Sequence, residues 1–241
     1  MKRNCLKLIA VVAAAVFAGT AAWAQTGIHA GYMNSVNSIK MNSEKSKLTT
    51  NGFYVGVDQD IHLVAGLSIQ PGLYYSYLVD KTDKSTKEIG NLKMTSYYED
   101  HHLNVPVHLK YGFDVLPDML KIYVFAGPTF DVGLLARQKY NVSGSLLGKD
   151  IDGKLTYNYY TGKVRTNLDD DAQNSINPAD QESRYSRFDL LLGGGVGVEA
   201  LGFLDVKVGY DYGVVNKLKG DAAKAGSVNR GQFYAGIGIR F

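Results

Sequence analysis

The sequence predicts an all-β protein, an eight-stranded antiparallel transmembrane up-and-down β-barrel with long external loops and short periplasmic turns. Three observations carry that expectation. Apolar and polar residues alternate with period 2 through nearly the whole chain after residue 24. The connections between alternating segments are alternately long and short. The more polar face carries Gly, Ser, Asn, Lys, Asp and Arg in strand after strand, which suits a narrow lumen, while the Leu, Val, Ile and aromatic face suits lipid.

The first 24 residues stand apart. Lys2, Arg3 and Lys7 precede the uncharged apolar stretch Leu8 to Ala18, and Ala22-Trp23-Ala24 reads as a small-x-small cleavage site. This is the pattern of a secretory signal peptide, so residues 1–24 are expected to be removed and 25–241 to form the barrel domain. Removal of those three cations leaves 23 Lys and Arg against 23 Asp and Glu, which takes away the electrostatic case for a nucleic-acid partner. The single cysteine, Cys5, goes with the same segment, which excludes disulfide and thiolate chemistry from the exported domain. The longest uncharged, mostly apolar run that follows is Leu190 to Val198, far short of the roughly 20 residues of a membrane-spanning helix.

Eight alternating segments follow, at about 27–33, 52–58, 65–78, 97–111, 121–134, 187–199, 204–215 and 231–241. The last is the clearest: Phe233, Ala235, Ile237, Ile239 and Phe241 oppose Tyr234, Gly236, Gly238 and Arg240. In 204–212, Leu204, Val206, Val208, Tyr210 and Tyr212 oppose Asp205, Lys207, Gly209 and Asp211. Residues 34–51, 79–96, 135–186 and 216–230 are expected as long polar loops, and 59–64, 112–120 and 200–203 as short turns. An even number of strands places all the short turns and both termini at one end. Phe53, Tyr77, Tyr97, Phe188, Tyr212 and Phe233 fall near the long-loop end, and Tyr111 and Phe241 near the other, as interfacial girdles would. Pro71, Pro106 and Pro128 interrupt three strands, where each removes a ladder donor, so β-bulges are expected there. A soluble β-sandwich with core aromatics is the competing fold.

Several segments together resemble the small outer-membrane β-barrel proteins of Bacteroidota, a branch of the eight-stranded OmpA/OmpX-like barrels. They are GLSIQPGLYYS (66–76), HLNVPVHLKYGF (102–113) and YVFAGPTFDVGLL (123–135), supported by LLLGGGVGVE (190–199) and the terminal FYAGIGIRF. The resemblance runs in order along nearly the whole exported chain and includes the interior prolines. It implies residence in the bacterial outer membrane, contact with its lipid and with the barrel-assembly machinery, and a family with several roles, one branch of which serves protein secretion. It also implies that Phe241, a terminal aromatic, helps the insertion machinery recognise the barrel.

Motifs of enzymatic type are weak. The run Gly193-Gly194-Gly195-Val196-Gly197 leads through a short turn into another strand rather than opening a helix, so it is no phosphate loop. Gly193, Gly195 and Gly197 are expected to leave room in a crowded lumen. His101 and His102 point to opposite faces, and His102 and His108 lie about 20 Å apart at roughly 3.4 Å per residue, so they make no metal site. Asp169, Asp170 and Asp171, with Asp180 and Glu182 beyond, lack the glycine and terminal Glu of a calcium loop. No cofactor is expected, and no enzymatic activity. A hydrolase at the external rim, using His101 with Ser96 and Asp100, is an alternative without a nucleophile motif to support it.

The lumen charges say more. Asp58, Lys110, Glu199, Asp205, Lys207 and Arg240 share the polar face near the short-turn end. Mixed signs at one depth predict a paired network, with Arg240 and Lys110 contacting Glu199 and Asp205, that fills the barrel and blocks conduction. The expected function is structural, or that of a surface-binding or adhesion scaffold acting through the external loops. An accessory role in a secretion apparatus and the rim hydrolase are the alternatives. In the longest loop, Tyr140, Tyr157, Tyr159, Tyr160 and Arg165 are candidate contacts for a surface or secretion-system protein, because Tyr and Arg dominate binding hot spots.

Overall fold

The computed structural model describes residues 24–41, 44–80, 87–89, 92–117, 119–146, 149–167, 183 and 185–241. The expected signal peptide up to Trp23, the acidic run 169–171, Asp180 and Glu182 lie outside the described residues.

Among the described residues, eleven strands and one short helix follow in chain order: β1 (Ala24–Met41), β2 (Glu44–Val64), β3 (Leu67–Val79), β4 (Lys87–Ile89), β5 (Leu92–Leu116), β6 (Leu120–Leu146), β7 (Lys149–Asn158), β8 (Val164–Thr166), β9 (Phe188–Ala200), β10 (Leu204–Gly213), α1 (Gly220–Ala225) and β11 (Gly226–Arg240). Eight of them, β1, β2, β3, β5, β6, β9, β10 and β11, form a closed antiparallel ring. Closure joins the first and last strands, with Gly27 opposite Arg240, and two further backbone hydrogen bonds tie Thr26 to Phe241. The remaining three lie outside the ring: β4 extends β5, β7 extends β6, and β8 extends β7.

The alternation sorts side chains as the period requires. Along β10, Asp205, Lys207, Gly209 and Asp211 are buried while Val206, Val208, Tyr210 and Tyr212 are exposed. Ile28, Val55, Leu109, Val124, Val196 and Ile237 likewise face outward, and His29, Asp58, Lys110 and Arg240 are buried inside. A ring with its apolar side chains outside and its charges inside suits lipid and would be unstable in water. Ring closure also leaves no strand edge in the apolar band, as hydrocarbon demands. Aromatics border that band: Phe53 packs on Tyr77 at 5.8 Å and Tyr77 on His101 at 4.8 Å towards one end, and Tyr111 and Phe241 are exposed towards the other.

The segments expected as long loops are largely strand. β5 and β6 run 25 and 27 residues and pair from Leu116↔Leu120 up to Leu92↔Gly144, whereas about 9–11 tilted residues cross a bilayer. The surplus rises above the girdle as a hairpin, broadened by β4, β7 and β8. Beyond Tyr97 and Arg137 side chains of both parities are partly exposed, so the sequence carries no apolar period to betray the strand. The tight turns differ too. The turn expected at 59–64 sits at Ala65-Gly66, with φ of 47° and 81°, and that between β9 and β10 includes Leu201-Gly202, with 55° and 73°. Two successive left-handed residues are the signature of a type I′ turn, whose twist matches the strands it joins.

The prolines do not sit in bulges. Pairing passes from Pro71↔Val107 to Tyr74↔Asn104 and from Pro106↔Thr129 to Leu109↔Ala126 with the register unchanged. The β2–β3 ladder also lapses, between Asp58↔Gly72 and Ile61↔Ile69. A prolyl nitrogen has no hydrogen to donate, so the ladder skips it without adding a residue. The register shifts fall elsewhere, at His62/Val64, His101/His102 and Asp114/Leu116.

Candidate functional site in the lumen and at the external rim

Parity along each strand determines which side chains enter the lumen, and tilt determines their depth. Near the short turns the structure brings together all six charged residues singled out in the sequence. Arg240 Nε donates to Asp205 at 2.6 Å and lies 3.2 Å from Glu199, while its Nη1 lies 3.4 Å from Asp58 and 3.7 Å from Asp60. Lys110 pairs with Asp60 and Glu199, and Lys207 donates to Asp58 at 3.1 Å and to the Tyr74 hydroxyl at 2.9 Å. Tyr123 donates to Asp205 at 2.6 Å, and His29 lies 3.1 Å from Asp58. Each buried charge thus meets an opposite charge, which is the condition for holding ions away from water.

Asp60, Tyr74 and Tyr123 belong to this layer, and the sequence reading does not assign them to it. Asp60 falls in a segment expected as a turn, although its spacing of two from Asp58 is an available signal. The aromatic rings fit because glycines on the adjacent strand make room. A Cβ at Gly197 would fall on the Tyr123 ring, and one at Gly195 would collide with Phe125 and with the Val208 carbonyl.

Above these ion pairs Met33, Tyr54, Tyr74, Phe125 and Tyr234 form an apolar cluster beside a small cavity of about 40 Å³. A second buried charge cluster, also missed from sequence, closes the next level. Arg230, fully buried, donates through Nε to Ser35 Oγ at 2.9 Å and through Nη1 to Asp131 at 3.2 Å. His102 sits between Asp131 at 2.9 Å and Asp100 at 2.7 Å. Arg230 falls in an expected loop, yet it continues the inward series Arg240, Gly238, Gly236, Tyr234, Gln232. His102 and Asp131 come together only because β5 and β6 are neighbours.

The external rim is aromatic. Tyr160 is buried rather than displayed, packed with Tyr98 and Ala136 and lying under Arg187, whose guanidinium is 4.9 Å from its ring. Asn158 Oδ1 shapes the turn that carries it, accepting from the amides of Tyr160 at 3.0 Å and Thr161 at 3.2 Å. Tyr159 contacts the rings of Tyr98, Tyr157 and Tyr185. Burial first, then the neighbouring Tyr185, Tyr140 and Tyr157, push its hydroxyl well above the ordinary range. Tyr140 is half-buried on β6 and Arg165 is exposed on β8. His101 faces outward, bonded through Nδ1 to the Tyr75 hydroxyl at 2.6 Å, while Asp100 points inward to His102. The rim triad of the hydrolase alternative is therefore split between two faces of one strand.

Just beyond the Tyr77–His101 level, Glu99 pairs with Arg137 and with Lys139, the latter at 2.9 Å. Partial burial pushes the Glu99 carboxyl up, but the Lys139 hydrogen bond and the charges of Lys139 and Arg137 outweigh it and hold the carboxyl below its usual value. A depressed carboxylate stabilises the fold above its unfolded value, about 4.3, and the contribution is lost as pH falls through the lower folded value. The stability difference between the parent and Glu99→Gln, read as urea midpoints in vesicles, should therefore shrink steadily below about pH 4. A difference independent of pH would remove the charge pairing as its cause.

Comparison with known proteins gives the following. The family profile described as outer membrane protein beta-barrel domain matches residues 23–218. None of the curated proteins matches the chain significantly. Among solved structures the chain is similar in fold to Ail, the attachment invasion locus protein of Yersinia pestis, at 13% identity over 90% of this chain and 98% of Ail, with a TM-score of 0.37. It is similar to Neisserial surface protein A at 14% identity, 89% and 97% coverage and a TM-score of 0.37. The same holds for OprG from Pseudomonas aeruginosa at 12% identity, 90% and 95% coverage and a TM-score of 0.37.

Proposed function

The chain belongs to the outer membrane protein β-barrel domain family, and from that premise we propose that it is a filled, non-conducting barrel acting as a surface-binding scaffold. The observation that carries the reading is the pair of buried charge layers across the lumen, Arg240–Asp205 with Lys110–Glu199 below and Arg230–Asp131–His102 above. An open pore would carry water at these levels; here the side chains neutralise one another. The binding element would be the sheet raised by the outer parts of β5 and β6 with β7 and β8. Tyr140, Tyr157, Tyr159 and Arg165 would lie on its partner-facing portions, with Tyr160 as their internal anchor. Export through a cleaved signal peptide ending at Ala24, insertion aided by Phe241 and kinship with the Bacteroidota barrels complete the proposal. No catalytic role is part of it.

The purified monomer in a planar lipid bilayer should show no steady ion conductance. A stable open-channel current would overturn the filled-lumen reading. A shortened β6–β7 hairpin lacking 139–165 should still migrate anomalously before boiling, because the ring does not depend on it, but should lose surface binding by intact cells.

A further inference from the structure

The sheet raised by the outer parts of β5 and β6 with β7 and β8 has two unlike faces, and strand pairing assigns each side chain to one of them. The inner face is aromatic, with Tyr98, Tyr140 and Tyr157 in register. The outer face continues the lipid-facing wall beyond His101 and carries cations. Its first row pairs Glu99 with Arg137, and its second runs through Tyr97, Lys139, Thr156 and Arg165 across four strands. The third row places Lys154 opposite Asn141. Among the described side chains of these rows, Arg137, Lys139, Lys154 and Arg165 face a single carboxylate, that of Glu99.

The rows stand at a particular depth. Each lies two residues beyond the last, which is about 5 Å of height for a strand rising roughly 3.4 Å per residue at about 40° of tilt. Arg137 is therefore about 5 Å, and Lys139 about 10 Å, beyond the level where His101 stacks on Tyr77. Aromatic girdles mark the edge of the hydrocarbon, and lipid headgroups fill roughly the next 5–7 Å. The first two cations thus stand at the headgroup level and just outside it.

Glu99 accepts from Lys139 at 2.9 Å and also pairs with Arg137, so one carboxylate is shared by two cations and a positive charge is left over. Lys139 lies over the Tyr97 ring, 5.0 Å from its centroid, a contact that holds the ammonium without cancelling its charge. Lys154 and Arg165 are exposed. Arg165 comes two strand spacings from Lys139, about 10 Å. The wall elsewhere lacks this character. Over β11, β1 and β2 the two rows beyond the Tyr32–Phe53 pair are Phe233–Asn34–Asn51 and Gly231–Val36–Thr49, without a charge.

We propose that this outer face binds the phosphorylated headgroup of a lipid in the outer leaflet. Arg137 and Lys139 hold the phosphate nearest the hydrocarbon, and Arg165 and Lys154 meet anionic groups farther out on the same headgroup. A lipid is the occupant because the face is continuous with the apolar wall beneath it. The acyl chains run down past the exposed Leu134, three residues before Arg137 on β6. The site does not depend on the filled lumen, so an open-channel current would leave it standing.

The test titrates the purified barrel in detergent with monophosphoryl lipid A, a phosphorylated glycolipid, and reads the fraction carrying lipid by native mass spectrometry. The parent should retain it at least about tenfold more tightly than phosphatidylcholine, the gain expected from two or more cations at a membrane surface. Lys154→Gln and Arg165→Gln should each weaken retention about fivefold, with unchanged heat-modifiable migration. Glu99→Gln should strengthen retention, because Arg137 and Lys139 lose their competing carboxylate; a purely structural role for the trio predicts weakening. Lys47→Gln, exposed on β2, should leave retention as it is. Unaltered retention in Lys154→Gln and Arg165→Gln would overturn the site. Equal loss in Lys47→Gln would do so too, by showing diffuse attraction to a cationic surface. Displacement of the lipid by equimolar inositol hexakisphosphate would reassign the face to a soluble polyanion and end the lipid reading.

Discussion

Replacing Arg240 with Met should abolish most barrel assembly, or lower the urea midpoint sharply in whatever fraction inserts. Arg240 is the hub of the lower layer, within 3.7 Å of Asp58, Asp60, Glu199 and Asp205. Removing it leaves Asp205 with only the Tyr123 hydroxyl among the hydrogen bonds described above, and the buried layer gains net negative charge. Breaking a buried pair from one side costs about 3–5 kcal/mol, because the partner charge stays behind. Arg240→Lys should recover only part, since an ammonium cannot replace a fork that spans several carboxylates. Adding Asp205→Asn to Arg240→Met should recover more than either single change predicts. Heat-modifiable migration and urea midpoints measure both effects. A single variant within about 1 kcal/mol of the parent would show that the layer tolerates an unpaired charge.

Gly197→Leu should be comparably severe for a steric reason. The new Cβ would fall on the ring of Tyr123. That ring is completely buried, its hydroxyl is held by Asp205, and Lys110 lies 4.2 Å from its centroid, so it has nowhere to retreat. Overpacking of a filled interior costs about 1–3 kcal/mol for an added methylene or two. Here the conflict also pushes β9 away from β6, with which it pairs at Tyr123↔Gly197. Tyr123→Ala in the Gly197→Leu background should restore insertion by returning the space. Val196→Leu, one residue away but facing lipid, should insert normally. If Gly197→Leu assembles as well as Val196→Leu, the lumen is less crowded at this level than its packing shows.

Much of the ring is legible in the sequence because one strand's alternation already sorts its side chains. Asp205, Lys207 and Arg240 can be placed on the inner face from β10 and β11 alone, and all six lower charges can be assigned one depth from their distance to the short turns. Arg230 escapes because the apolar half of the pattern ends near Phe233; above the girdle the outward positions are Gly231, Asn229 and Ser227, and a polar residue no longer marks the inside. The same loss of contrast hides the upper halves of β5 and β6, whose paired backbones look like loop in composition. Tyr160 is misread for a related reason: a tyrosine in a polar hairpin reads as surface until Tyr98, Ala136 and Arg187 are seen around it.

The strand count of the ring, the inside and outside of each spanning segment and the short-turn end all follow from the order of residues alone, because a period of two and an apolar face are local properties. Which charges meet, how the prolines are accommodated and where the cavity lies emerge only when the strands assemble. Those depend on the register and tilt with which eight strands close, and closure places Asp58 beside Lys207 and Arg230 beside Asp131 across 149 and 99 residues of chain. No local pattern encodes such contacts; they follow from the cost of leaving a buried charge without an opposite charge at its own depth.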